Sequence, residues 1–138
     1  MQRDIAVAGE SAMGVHLLAV SLAADGRPAE AIPYYREALR LQPSNPMALA
    51  NLGIALASVG DWSGAANAFA GATALAPQYA DAHYGLGVAL FELRQFDRAR
   101  AELNTALSLP LSVDYAAQAR FRLGLIEQKS RTSALEGK

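Results

Sequence analysis

The sequence contains no cysteine. Disulfides, a thiol nucleophile and cysteine metal ligands are therefore excluded, and the fold does not depend on redox compartment. It contains only two histidines, His16 and His83. A helical metal site would need a second ligand three or four places on. From His16 these places hold Ala19 and Val20, and from His83 they hold Leu86 and Gly87. No metal and no cofactor is expected. Charge is sparse at 18% and nearly balanced, with 12 basic and 13 acidic side chains. That argues against a nucleic-acid binder, which needs a basic surface. No apolar run is long enough to span a membrane. The stretch His16 to Ala24, HLLAVSLAA, has the apolarity of a signal-peptide core. Its flank carries Asp4 and Glu10 and is not net positive, so it reads as the first helix of the fold. With neither a clear leader nor a span, the expected location is the cytoplasm. Glycine-rich stretches such as GLGVAL fall inside helical pattern, not between a strand and a helix, so they are no phosphate loop. No active site is legible, and an enzyme is not expected.

What the chain has is alanine-rich helical pattern repeated at a fixed interval. Leu52, Gly53 and Leu56 recur 34 residues later as Leu86, Gly87 and Leu90, and 34 residues earlier as Leu18, Ala19 and Leu22. Ala65, Phe69, Ala72 and Pro77 recur as Ala31, Tyr35, Ala38 and Pro43 on one side. On the other side they recur as Ala99, Leu103, Ala106 and Leu111, with Pro110 one place early. A fixed period of this length means a stacked array of repeats. The pattern resembles the tetratricopeptide repeat (TPR) family from Ala12 to Val113.

The expected fold is all-α: an α-solenoid of three TPR helix–turn–helix repeats plus a C-terminal capping helix, as one domain over residues 1–138. The expected divisions are an N-terminal extension (1–11), repeat one (12–45), repeat two (46–79) and repeat three (80–113). A capping helix (114–128) and a disordered tail (129–138) follow. Turns fall at Asp25-Gly26 and Gly60-Asp61, where glycine supplies the left-handed conformation. Arg94 stands at the third such position, which predicts a somewhat different turn. Pro28 opens a helix, and Pro33 inside it predicts a slight kink. Gly53, Gly87 and Ala19 permit close helix crossing opposite Ala65, Ala99 and Ala31. Trp62 and His83 fall at packing positions of the register. After Pro110 the phase slips, since Leu123-Gly124 follows Leu86-Gly87 by 37 residues. Arg120, Arg122 and Lys129 read as the polar face of the cap, with a phosphate or acidic-partner site as the sharper alternative.

The resemblance implies that the first helix of each repeat lines a concave surface. The residues pointing into it would be Met13, His16, Val20 and Ala24 in repeat one. In repeat two they would be Met47, Ala50, Asn51, Ile54 and Ser58. In repeat three they would be Asp81, Tyr84, Val88, Phe91 and Glu92, with Phe121 and Leu125 extending the floor. Asn51 falls where the family often holds a peptide backbone; otherwise it bonds the neighbouring helix. Some members clamp chaperone tails with basic residues on these helices. Here His16, Asp81 and Gly85 stand in those places, which argues against that ligand class. The implied function is a non-catalytic adaptor binding a peptide or helix of a partner protein. The alternatives are a self-assembling module and a regulatory domain of a larger protein. For self-assembly the uncharged face Gly64, Asn67, Ala68, Gly71 and Ala74 is the expected contact, because repeat two carries one charge, Asp61.

Overall fold

A computed structural model describes residues 2–137, with the backbone alone for residues 2–10. Met1 and Lys138 lie outside the described residues. Among these the chain is seven α-helices with no strand: α1 (Gln2–Ala24), α2 (Pro28–Leu41), α3 (Pro46–Ser58), α4 (Trp62–Leu75), α5 (Ala80–Glu92), α6 (Phe96–Leu107) and α7 (Val113–Glu136). The pairs α1–α2, α3–α4 and α5–α6 are hairpins, and each hairpin stacks on the next through α2–α3 and α4–α5. The odd-numbered helices lie side by side, α1 by α3, α3 by α5 and α5 by α7.

Local chemistry sets the helix starts. The side chains of Asn45, Asp61 and Ser112 accept from the backbone N–H groups of Ala48, Gly64 and Tyr115, at 3.1, 2.9 and 3.2 Å. Pro28 and Pro46 occupy the first turns of α2 and α3, where a missing donor costs nothing. Pro33 sits inside α2, which stays one continuous helix.

The three intra-repeat turns are the same, contrary to what Arg94 predicts. Gly26 and Gly60 take φ of 77° and 82°, and Arg94 takes 64°. Arg27, Asp61 and Gln95 donate from the backbone to the carbonyls of Leu22, Leu56 and Leu90, each at 2.9 Å. Arginine therefore adopts a conformation that costs a residue with a Cβ about 1–2 kcal/mol.

The core is built by seating one large residue of each second helix against small residues of the first helices. Phe69 on α4 is the fullest case. A Cβ at Gly53 on α3 would lie 2.9 Å from its ring, and a Cβ at Gly85 on α5 would lie 2.4 Å away. The ring is thus held between glycines of two successive hairpins. Leu103 on α6 sits likewise against Gly87, where a Cβ would come within 2.7 Å. Tyr35 on α2 is the equivalent in the first hairpin and is buried.

α7 closes the array by burying Ala119 and Ile126. Its length corrects one expectation: residues 129–136 are helix, not tail. The run KSRTSALE has no proline or glycine before Gly137, and Arg131 pairs with Glu127 one turn back at 2.7 Å. Phe121, expected on the groove floor, is exposed to solvent.

The expected self-association face is also corrected. Asn67 and Ala74 are exposed, but Ala68 is buried in the core. Gly64 and Gly71 are half-buried, and a Cβ at Gly71 would meet Leu49 at 3.3 Å. The physical reason is position in the array. α4 is packed by α3 of its own hairpin and by α5 of the next, so Ala65, Ala66, Ala68, Phe69 and Ala72 form a wide buried arc.

Candidate functional site: the concave cleft

Two adjoining clefts open on the face made by the first helices. The first, of about 420 Å³, is lined by Ala50, Asn51, Ile54, Ala57 and Ser58 of α3 and by Asp81, Tyr84, Gly85 and Val88 of α5. Trp62, Phe69, Tyr79 and Tyr115 complete it. The second, of about 460 Å³, runs toward α1 and is lined by Val20, Ala23, Ala24 and Tyr35. Asn51, Ile54 and Ser58 line both, so the two make one continuous surface.

Helical spacing explains this assembly. Asn51, Ile54 and Ser58 are three and four places apart, as are Asp81, Tyr84, Gly85 and Val88, so each set shares a helix face. Ile54 is 52% exposed, although it is a large aliphatic residue in the middle of the array. Asp81 is the one formal charge on the lining of the first cleft.

Aromatic contacts shape the far end. Tyr84 stacks on Tyr115 of α7, with ring centres 4.5 Å apart and planes 14° from parallel. Partial burial pushes the Tyr84 and Tyr79 hydroxyls above their ordinary range, with Asp81 and then Tyr115 adding to the shift at Tyr79. Both phenols stay neutral donors near neutral pH, available to an incoming carbonyl.

Other expected residues are used differently. Ala50 is buried and serves only as the base of the cleft. Phe91 turns away from both clefts: its ring meets Phe96 edge-on at 5.5 Å, and the Arg122 guanidinium lies 5.9 Å from its centre. Met13, Met47 and Glu92 are exposed but line neither cleft. Several lining residues escaped the sequence reading of the groove, among them Trp62, Ala57, Tyr79 and Tyr115. Trp62 and Ala57 stand near the turn of repeat two. Tyr79 precedes α5, and Tyr115 follows the phase slip, where the register assigns no face.

Asn51 bonds the neighbouring helix. Its side-chain N–H donates to His16 Nε2 at 3.2 Å, and the His16 ring lies against Tyr35 with centres 5.7 Å apart. Burial lowers the His16 pKa below its ordinary value of 6.5. Protonation would also remove the lone pair that accepts from Asn51. The unfolded chain therefore takes up this proton first, and stability falls as pH drops through 6.5. Urea midpoints measured at about pH 7.5 and about pH 5.5 should show a smaller drop for His16→Gln than for the unaltered protein. Equal drops would mean that His16 carries none of the dependence. His83 is structural. Its Nδ1 lies 2.7 Å from a Glu102 carboxylate oxygen on α6, and its Nε2 donates to the Pro77 carbonyl at 2.8 Å.

Stacked helical hairpins around a concave apolar surface define a helical-repeat protein. Two sequence models of the tetratricopeptide repeat match, over residues 13–55 and 56–110. The chain belongs to the tetratricopeptide repeat family.

Solved structures agree in fold. The Sgt2 TPR domain from Aspergillus fumigatus superposes with a TM-score of 0.79, at 24% identity, over 87% of this chain and 82% of that one. The first TPR of Spaghetti (RPAP3), bound to the HSP90 peptide SRMEEVD, gives 0.79 at 22% identity, over 86% of this chain and 95% of that one. The Yersinia enterocolitica type III secretion chaperone SycD, in complex with a peptide of the translocator YopD, gives 0.80 at 14% identity, over 88% and 95%. No protein of curated function matches by sequence. Among the described residues no helix is long and apolar enough to cross a membrane.

Proposed function

We propose that this chain is a non-catalytic protein-interaction module that receives a short segment of a partner protein in its concave cleft. The carrying observation is the continuous surface across α1, α3 and α5, in which exposed Ile54 joins two clefts and Asp81 is the one charge on the first. An exposed apolar surface with few placed polar groups suits a protein contact. The fitting occupant is an extended or helical segment with one or two apolar anchors near Ile54 and Val88 and a lysine or arginine beside Asp81. The peptide-bound states of the RPAP3 and SycD structures support this reading at the level of fold.

Display of random peptides against the immobilised chain tests it. Enriched sequences should carry an apolar anchor and a cation at fixed separation. Ile54→Lys and Val88→Lys should each cost a selected peptide about 2 kcal/mol or more, because binding energy concentrates in central desolvated contacts. Glu37→Ala, on α2 and paired with Arg40, should leave binding unchanged. Salt should matter little, since the anchors are apolar. Folded Ile54→Lys and Val88→Lys variants that hold the peptide normally would remove the cleft from the function.

A further inference from the structure

A cleft larger than either of the two concave ones lies elsewhere. A cleft of about 720 Å³ opens between the start of α6 and the C-terminal half of α7. Its apolar lining is Phe96, Leu125 and Ile126, and its cations are Arg94, Arg100 and Lys129. Two carboxylates, Asp97 and Glu136, also line it. Arg100 already holds Asp97 at 3.2 Å. Arg94 and Lys129 have no carboxylate within ion-pair distance among the described residues. Both are drawn to one ring instead. The Arg94 guanidinium carbon lies 5.6 Å from the Phe96 ring centre, and the Lys129 ammonium lies 5.5 Å away.

Arg94 carries a second signal. It occupies the left-handed turn position that Gly26 and Gly60 fill in the other hairpins, with unchanged turn hydrogen bonds. The turn itself does not need arginine, and glycine would hold it with less strain. Such strained backbone positions cluster at binding and active sites. Here the side chain brings a cation to a cleft that already holds Lys129.

We propose that this cleft is a second binding site, for an acidic segment of a partner protein. Carboxylates entering it would meet Arg94 and Lys129 without displacing another carboxylate, and such charge-assisted contacts are the strong kind. An adjacent leucine-class side chain would reach the Phe96 and Leu125 floor, beneath which Ile126 is buried. The site lies outside the concave cleft and shares no lining residue with it.

The test is a fluorescence-polarisation titration with a labelled peptide carrying aspartates and glutamates on both sides of one leucine. It is run beside the same peptide with asparagine and glutamine in their place, and beside a single-stranded oligonucleotide. The acidic peptide should bind and the amide peptide should not. Arg94→Gly and Lys129→Gln should each weaken binding about tenfold, with affinity falling as salt rises. Arg94→Gly should melt no lower than the unaltered protein, which separates loss of the site from loss of the fold. Ile54→Lys should bind the acidic peptide normally, so this site can fail while the concave cleft stands. The proposal is overturned by no binding up to about 1 mM, by full binding in both cation variants, or by loss only in Ile54→Lys. It is equally overturned if the oligonucleotide binds as tightly and with the same dependence on Arg94 and Lys129.

Discussion

Phe69→Ala should cost about 3–5 kcal/mol, toward the upper end of the range for a buried phenylalanine. The cost of such a truncation depends on how far the surroundings can collapse into the space left behind. Here they can do little, because the ring is seated against Gly53 and Gly85, which have no side chains to move in. The ring also touches both the hairpin it belongs to and the one that follows, so its loss weakens a hairpin and a junction at once. Urea denaturation followed by circular dichroism measures the effect, and a loss under about 1.5 kcal/mol would contradict the seating described. A double-mutant cycle sharpens it. Gly85→Ala alone should cost about 1–3 kcal/mol, since its Cβ would sit 2.4 Å from the ring. In the Phe69→Ala background the same change should cost much less.

Ala68→Glu should destabilise the chain by about 3 kcal/mol, combining overpacking with burial of a polar group that has no partner. Ala68 is only 6% exposed and belongs to the main core cluster. Asn67→Glu and Ala74→Glu, at exposed positions of the same helix, should stay within about 0.5 kcal/mol of the unaltered chain. Chemical denaturation of the three variants side by side checks the contrast. If Ala68→Glu proved as stable as Asn67→Glu, Ala68 would face solvent and the self-association face read from the sequence would regain its place.

Ala68 also shows where the sequence stops being legible. The 34-residue register revealed the helices, the turns and the close crossings at Gly53 and Gly87, because those features depend on residue size at a repeated position. It could not reveal how wide an arc α4 buries. The positions matching Ala68 are Tyr34 and Glu102, whose size and charge suggested an outward face. Phe91 failed for a related reason. It shares the inner helix face, but α6 and α7 offer it Phe96 and Arg122, and a period carries no information about a helix that has left the period. Tyr115 was invisible for that same reason. Ile54, Asp81, Tyr84 and Val88 were readable because each lies on a helix within the phase. Arg94 was readable as an exception but not as a cation facing Lys129, since Lys129 lies beyond the slip and was assigned to the tail.

The seating of Phe69 between two glycines also bears on how such an array can change in length. Repeats that differ only at their surfaces could be copied in tandem like beads. This one is keyed to its neighbour. If residues 46–79 were duplicated in place, the first copy of Phe69 would face the Asn51 of the second copy where it now faces Gly85, because the two positions are 34 residues apart. A Cβ at that place already lies inside the ring's contact distance, and asparagine adds three more heavy atoms. The order of the hairpins is therefore part of the fold. Growth by duplication would need the first copy of Phe69 to shift from its present seat toward the arrangement of Tyr35, whose buried ring already stands opposite Asn51.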